Sequence, residues 1–335
     1  MLFRSGIGGF VNSLTTSGGG SITAGGQFKT AGTHFALNIG HLENRQWSQP
    51  GKGLYPDVSR VVTDGNGNIY AVGEFQGVGQ QNNIDFFAKW SGGSWVAPWA
   101  NPDGPVSAIA FGPNGSIYIG GRFTKVGNVD ANRIAKWNGS KWSAVGRGFG
   151  STVTDIEIDS SGTVYAGGLF QKTGGNLTMP MSHVAKWNGN GWASLGSGTN
   201  GFISEIEAYQ GELYVAGNFE KAGRKTVNSI AKWDGTAWKK IGNGIPPDNG
   251  ATTTLSALAV NDDGVFTSGS FDKINGTTFN HVAWWDGQAW KPLGKGVNDM
   301  VEALEVRNDR LYLGGVFTQA GPYPSYGIAV WDYRP

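Results

Sequence analysis

A short phrase recurs seven times along the chain and constrains its fold more than any other feature. The phrase reads Gly-x-Phe, a Gly/Asn-rich stretch, Ile/Val-Ala-x-Trp, a tight turn, a second Trp and Leu-Gly-x-Gly. Its phenylalanine recurs every 46 to 52 residues, at Phe28, Phe75, Phe123, Phe170, Phe219, Phe271 and Phe317. A repeat of this period indicates one supersecondary unit copied along an array.

Each repeat reads as four short β-strands separated by turn signals. In the third repeat the strands are expected at Val106–Phe111, Ser116–Phe123, Arg133–Trp137 and Lys141–Gly146. Seven such units predict an all-β, seven-bladed β-propeller of four-stranded antiparallel blades, one domain over residues 1–335. The alternative is a β-solenoid, but a repeat of about 48 residues is long for a solenoid rung and right for a blade.

Composition excludes several functional classes. The formal net charge of +1 gives no field that would recruit nucleic acid, and no apolar run is long enough to span a bilayer. The chain has no cysteine, and its N-terminus lacks the apolar core of a signal peptide. We therefore expect no nucleic-acid partner, no membrane insertion and no cofactor, and we expect a monomer unless the chain is part of a longer protein or an assembly.

The repeats resemble those of known propeller families over the whole chain. The Gly-Gly strand and the Trp that closes each repeat resemble the kelch propellers, including the galactose oxidase central domain. The sequence from Ile134 to Gly139 resembles the repeats of bacterial secreted proteins and of Rax2-like fungal surface proteins more closely than it resembles kelch repeats. The resemblance implies a propeller and an extracellular or surface location, but no particular activity.

The two chain ends predict how the ring closes. The chain stops after the third strand of the last repeat, and Leu2–Gly8 aligns with the end of the sixth repeat at Trp290–Gly296. The N-terminal segment is therefore expected to add the missing outer strand of blade seven. Residues 1–5 also equal the translation of a common sequencing adapter, and under that alternative the native N-terminus is longer.

Strand order places the longer connections on one face of the ring. Connections between strands two and three, and from strand four to the next blade, share this face; examples are Lys172–Met181 and Ile245–Thr252. The opposite face carries minimal turns. We expect any ligand on the face with the long loops, because function concentrates on loops held by a rigid scaffold.

Residues that break the repeat are the candidate ligand-binding positions. Of 14 tryptophans, 12 occupy repeat positions, whereas Trp99 replaces a glycine and Trp284 a lysine. The residue before the third strand varies and includes Arg133, His183 and His281. The innermost strands carry acidic pairs, Asp155 with Glu157 and Glu205 with Glu207, as well as Arg60. Packing, surface exposure or ion pairing within the channel is the alternative interpretation for each.

Three functions remain open on these residues. The first is a non-catalytic binding propeller of a secreted or surface bacterial protein, with a glycan or a protein as ligand. The second is a polysaccharide lyase or glycoside hydrolase that uses Asp155, Glu205 and His183 at the channel mouth. The third is a rigid structural module of a longer chain. No catalytic motif and no metal-ligand spacing is recognisable in the sequence.

Overall fold

The chain folds as the repeat predicts, into a seven-bladed β-propeller. The computed structural model describes residues 6–17, 20–78, 81–175, 179–247 and 253–333, and these form strands and turns without a helix. The strands make seven antiparallel sheets, and the first strand of each sheet contacts the first strands of its two neighbours until the ring closes. We number the blades in chain order and the strands of each blade from the axis outward.

The bounds of the strands repeat from blade to blade. First strands are Ile7–Thr16, Val58–Thr63, Val106–Phe111, Val153–Ile158, Ile203–Tyr209, Leu255–Asn261 and Val301–Arg307. Second strands are Ile22–Ala31, Ile69–Val78, Ile117–Gly121, Val164–Gly168, Glu212–Gly217, Gly264–Gly269 and Arg310–Gly315. Third strands are Ile39–Glu43, Gln81–Ser91, Ile134–Trp137, Val184–Trp187, Ile230–Trp233, Val282–Trp285 and Ile328–Asp332. Fourth strands are Gln46–Ser48, Ser94–Val96, Trp142–Ala144, Trp192–Ser194, Trp238–Lys240 and Trp290–Pro292.

Short two-residue strands cover the connection between strands two and three in five blades. They lie at His34–Phe35, Lys125–Val126 with Val129–Asp130, Lys221–Ala222 with Lys225–Thr226, Lys273–Ile274 with Thr277–Thr278, and Gln319–Ala320 with Tyr323–Pro324. In the third repeat the four main strands begin and end within two residues of the predicted positions. The predicted long connections are described only in part, because residues 176–178 and 248–252 lie outside the described ranges.

Close packing explains the Gly-x-Phe phrase. The glycine lies in the second strand, and ends it in blades three to seven. A Cβ on this glycine would overlap a backbone carbonyl oxygen of its own blade, in or directly before the first strand, in all seven blades. Only glycine fits such an approach. The phenylalanine two residues later is at most 2% exposed in every blade. The phrase therefore serves packing, and each phenylalanine lies in an apolar cluster formed by its own blade and the preceding one.

The ring closes where blade seven meets blade one. Among the described residues blade seven has three strands, and the predicted fourth falls largely on residues 1–5, outside the described ranges. The N–H of Ile7 bonds to the second residue before the third strand of blade seven, as the N–H of Val297 does in blade six. Gly6 thus corresponds to Gly296, so the predicted alignment, which paired Gly8 with Gly296, was wrong by two residues.

Candidate functional site

Exposed apolar side chains concentrate on one face of the ring. Among the described residues ten large apolar side chains are exposed. Eight lie in the two-to-three or four-to-one connections, and a ninth, Phe10, lies in the first strand of blade one at the position equivalent to Met300. These nine are Phe10, Phe35, Tyr55, Trp99, Leu169, Met179, Met300, Tyr323 and Tyr326. The tenth, Val96, lies in the fourth strand of blade two. We call the face with the nine the loop face; it is the face that the sequence predicted to hold any ligand.

The channel opens on the loop face beside two of these side chains. Phe10 and Met300 directly precede Val11 and Val301, which pair with the Gly-x-Phe glycines Gly26 and Gly315 in blades one and seven. They are therefore equivalent positions in neighbouring blades. Both are large and apolar, and they are 50% and 41% exposed. An apolar lip thus borders one side of the channel mouth.

A ring of polar side chains lies one residue deeper in the channel. Its members are Asn12, Ser59, Ser107, Thr154, Ser204, Ser256 and Glu302. Three of them donate a hydrogen bond to the backbone carbonyl oxygen of the residue that begins the first strand of the next blade. These are Asn12 to Val58 (3.1 Å), Thr154 to Ile203 (2.7 Å) and Ser256 to Val301 (2.7 Å). Glu302 is the one carboxylic acid in this ring. Burial raises the pKa of Glu302 above its usual range.

One arginine crosses the channel between the two acidic strands. Arg60 of blade two lies 3.1 Å from the Asp155 carboxylate of blade four and 2.9 Å from Glu205 of blade five. Asp155 is 1% exposed, and its carboxylate also accepts the N–H groups of Ile156 and Ile206, each at 2.9 Å. The structure therefore brings Asp155 and Glu205 together as ion-pair partners of Arg60, and these contacts link blades two, four and five across the axis.

Carboxylic acids outnumber cationic side chains in the part of the channel around Glu157, Glu205 and Glu207. Burial, followed by repulsion from Asp155, raises the pKa of Glu157 to about 8. Burial also raises the pKa of Glu205 to about 8, against the opposing effect of Arg60. Burial and the neighbouring carboxylates raise the pKa of Glu207 well above its usual range. Glu205 and Glu207 border a cavity of about 330 Å³. Their raised pKa values allow protonated carboxylic acids in this cavity near neutral pH.

The residue before the third strand has a left-handed backbone in six blades, and in blade two the equivalent residue, Phe86, lies inside the longer strand Gln81–Ser91. All seven equivalent residues have φ between 61° and 71°: Asn38, Phe86, Arg133, His183, Ser229, His281 and Gly327. Six of them are not glycine, and each such residue costs about 1 kcal/mol in this conformation. Their backbone groups bond to the Gly-x-Phe turn of the same blade in six blades, which is why the conformation recurs.

The side chains of Arg133, His183 and His281 lie against their own blades. Arg133 donates to the carbonyl of Phe123 at 3.0 Å. The Nδ1 atoms of His183 and His281 lie 3.2 Å from the carbonyl oxygen of the conserved glycine in their blades. His183 is buried, which lowers its pKa, and it precedes a strand two places out from that of Asp155. The structure thus does not bring His183 together with the channel acids.

Trp99 packs on the neighbouring blade and remains half-exposed. The equivalent glycines, such as Gly146, face the third-strand indole of the next blade at close range. Trp99 instead stacks its own ring on Trp137, with centroids 4.0 Å apart and planes 15° apart. The two indoles and Trp142 form a three-tryptophan cluster between blades two and three. One face of Trp99 therefore serves packing, and the rest of the ring is available to a ligand.

Trp284 lies in a packed environment. Its Nε1 donates to the carbonyl of Asp263 at 3.0 Å, and its ring is nearly parallel to that of Phe266 with centroids 5.8 Å apart. The Lys291 ammonium lies 5.7 Å from the ring centroid, and Tyr333 packs beside it. These contacts favour a packing role at the junction of blades six and seven.

Two further searches of the described ranges found no candidate. No group of three or more His, Cys, Asp or Glu side chains there is arranged to hold a metal ion. No helix in the described part of the chain is long and apolar enough to cross a membrane.

A family comparison agrees with the repeat and the ring. The model of the Rax2 C-terminal β-propeller domain matches residues 96–294, which is more than half of the chain. The chain belongs to this family. The Rax2 propeller match covers blades three to six and both acidic first strands, those with Asp155 and Glu205. The kelch part of the predicted resemblance is not confirmed.

Solved structures share the fold at low sequence identity. The extracellular domain of a one-component system from B. thetaiotaomicron aligns with a TM-score of 0.63 and 10% identity over 99% of this chain. The chain spans 40% of that protein's length. YCF48 bound to D1 peptide aligns at 0.61 with 14% identity, covering 99% of this chain and 95% of the other. Virginiamycin B lyase from Staphylococcus aureus aligns at 0.58 with 13% identity, covering 93% of each chain. No curated protein sequence matches this member of the Rax2 propeller family.

Sequence reasoning missed the apolar lip at the channel mouth. The positions equivalent to Phe10 and Met300 hold Asp57, Pro105, Thr152, Phe202 and Thr254 in the other blades. An alignment of the repeats on the first strands would have shown large apolar residues at this position in three blades, with Phe10 and Met300 in adjacent blades. The first strand of blade one was not aligned because the N-terminal segment was assigned to blade seven.

Proposed function

We propose that the protein is a non-catalytic binding module whose loop face holds a segment of another protein. The observation that carries this proposal is that nine of the ten exposed large apolar side chains lie on one face. Apolar groups gathered on one surface mark interaction sites, whereas scattered ones do not. The secreted or surface bacterial setting expected from the sequence remains part of the proposal.

The arrangement of these side chains favours a protein over a glycan. Seven of the nine belong to blades seven, one and two or to the connections beside them, and they include the lip formed by Phe10 and Met300. Broad apolar surface with several large anchors suits a protein segment, while sugar sites combine stacked rings with many polar groups. YCF48, a propeller of similar fold, binds a peptide, which supports the same use of the fold here.

The test compares loop-face variants with a matched exposed residue elsewhere. A phage-displayed random peptide library and a glycan array are screened with the wild-type chain, and the best peptides are measured by fluorescence anisotropy. Phe10→Ser and Met300→Ser are expected to weaken binding about tenfold each, which corresponds to about 1.4 kcal/mol. Val96→Ser removes an exposed apolar group outside the loop face and should leave affinity unchanged.

Three outcomes would count against the proposal. The first is a screen without any enriched peptide, and the second is peptide binding that responds equally to the Val96 and Phe10 variants. The third is a hit confined to the glycan array that is lost with Trp99→Ala, which would assign the face to a sugar.

A second candidate function rests on the channel acids. Glu157 and Glu205, both with pKa values near 8, could serve as general acids near neutral pH in a polysaccharide lyase or hydrolase. The pairing of Glu205 with Arg60 and the distance of His183 from the channel strands favour a structural role instead. Turnover of a polysaccharide panel that disappears in Glu205→Gln, with the thermal unfolding unchanged, would establish the enzyme.

A further inference from the structure

The cavity inside the channel begins directly below the lip at the loop face. Met300 precedes the first strand of blade seven and Glu302 is the second residue of that strand, and two residues of extended chain cover about 7 Å. Glu302 and Asn12 border the cavity of about 330 Å³, which also reaches Val306 farther along the same strand. Exposed apolar side chains and an interior cavity therefore follow one another on a single path into the channel.

Carboxylic acids dominate the charged wall of this cavity. Among the described residues that border it, one is a cation, Arg60, and four are carboxylic acids: Glu205, Glu207, Glu302 and Glu305. The Arg60 guanidinium is already engaged, because it contacts the carboxylates of both Asp155 and Glu205. The cavity therefore holds more carboxyl groups than its own cation can pair with.

Two of the four acids have no partner in the wall. Glu305 accepts a hydrogen bond from the Thr16 hydroxyl at 3.0 Å, and Glu205 is paired with Arg60 at 2.9 Å. By contrast, neither Glu207 nor Glu302 accepts a hydrogen bond or lies within ion-pair distance of a cation among the described residues. A cation that entered the cavity would therefore meet two carboxyl groups that are not already engaged.

The electrostatics of the cavity favour a basic ligand. Burial raises the pKa of both Glu207 and Glu302, and at Glu207 repulsion from the neighbouring carboxyl groups adds to this effect. An opposite charge within about 4–6 Å stabilises the ionised form of a carboxyl group and lowers its pKa. A cation in the cavity would therefore relieve the repulsion among the acids, whereas an acidic side chain would add to it.

The lip determines what carries the basic group. A small free cation would contact the acids but would leave the exposed rings and chains of Phe10 and Met300 uncovered. A protein segment meets both requirements when a large apolar side chain covers the lip and a neighbouring Lys or Arg enters the channel. The three or four methylene groups of such a side chain are long enough to pass the lip and place the charge near Glu302.

We propose that the loop face binds a protein segment with a Lys or Arg beside a large apolar residue, and that the basic side chain enters the channel cavity bordered by Glu207 and Glu302. This inference rests on the proposed function, since it specifies the chemistry of the segment that the loop face holds. Apolar contact at the lip would supply most of the affinity, and the charge pairing would select the segment.

Three phage-displayed heptapeptide libraries provide the probes. The central residue is Lys or Arg in the first library, Gln in the second and Glu in the third, and the flanking positions exclude Lys and Arg. Each library is selected on the 335-residue chain at pH 8, and the best peptides are measured by fluorescence anisotropy. We expect the best peptides of the first library to bind at least about tenfold more tightly than those of the other two. Replacing the basic residue of the best peptide by Gln should weaken its binding about tenfold.

Two variants test where the basic side chain lies. Glu302→Gln should weaken binding of the best basic peptide about tenfold and of its Gln analogue by less than about twofold, because only the basic peptide pairs with the carboxylate. Glu43→Gln removes the same charge from an exposed position in the third strand of blade one and should leave both affinities unchanged. The unfolding temperature of each variant establishes that the ring is folded.

Two results would overturn the inference and leave the proposed function standing. The first is a set of peptides that respond to Phe10→Ser but come equally from the three libraries. The second is a basic peptide that binds folded Glu302→Gln as tightly as it binds the wild type. Selection of no peptide from any of the libraries would instead remove the proposed function together with the inference.

Discussion

Replacing Glu157 by glutamine is expected to stabilise the protein at pH 8 and to change little at pH 4.5. The pKa of Glu157 is about 8 in the folded protein, raised mainly by burial, against an ordinary 4.5. Below pH 4.5 this carboxylic acid is protonated in both the folded and the unfolded protein. As the pH rises from 4.5 to 8 it ionises first in the unfolded protein, and this lowers the free energy of unfolding. Glutamine is neutral at both values and avoids the loss.

The structure sets the size of this effect. A shift of 3.5 pH units corresponds to about 5 kcal/mol at about 1.4 kcal/mol per unit, an upper limit because the side chain is only partly buried from water. We expect a gain of about 2 kcal/mol at pH 8. With an unfolding entropy of about 2.1 cal/mol/K per residue, a chain of 335 residues should gain about 3 °C in unfolding temperature.

Differential scanning calorimetry of the wild type and the variant at pH 4.5, 6 and 8 measures this prediction. Glu43→Gln is the matched control, since Glu43 is exposed in the third strand of blade one and should show no pH-dependent difference. An unfolding-temperature difference for Glu157→Gln that is the same at all three pH values, or that falls as the pH rises, would refute the reasoning.

Three further perturbations test the packing and the channel. Arg60→Met should cost about 3 kcal/mol at pH 8, because it leaves the buried carboxylate of Asp155 without its cation. The cost should be smaller at pH 5, where Glu205 is protonated. Urea unfolding at both pH values measures the difference. Trp238→Phe should cost about 1 kcal/mol more than Trp290→Phe in the same assay. The Trp238 indole donates a hydrogen bond at 2.9 Å, whereas the buried Trp290 N–H has no acceptor among the described residues. Gly294→Ala should cost about 3 kcal/mol and Gly321→Ala about 1 kcal/mol. Both glycines have φ near 58°, but of the two only Gly294 lies where a Cβ would overlap an indole. Equal unfolding temperatures of the two variants would contradict this expectation.

The repeat made the blades predictable because each blade solves the same packing problem. The second-strand glycine, the buried phenylalanine and the tryptophan pairs recur wherever a first strand must approach a second strand and the next blade. Strand bounds in the third repeat came out within two residues for the same reason. The N-terminal register did not, because residues near Gly6 lack the tryptophan that marks the fourth strand elsewhere.

The candidate site was less predictable because residues at equivalent positions of the repeat differ in type and make different contacts from blade to blade. Arg133, His183 and His281 look like a variable ligand-binding set, but their side chains bond to backbone carbonyl groups or lie beside them. Asp155 and Glu205 break the repeat in the sequence, but their pairing with Arg60 spans three blades and could not be read from any one repeat. Contacts between residues 95 and 145 positions apart depend on the curvature of the whole ring.

The sequence by itself determined the number of blades, the order of their strands and the face that carries the long connections, because these follow from local patterns repeated seven times. Only the tertiary structure decided which exceptions meet. Ring closure brings Phe10 next to blade seven and Arg60 between two acidic strands. The physical reason is that blades pack through short-range contacts encoded within each repeat, while the channel is formed by residues that only a closed ring places together.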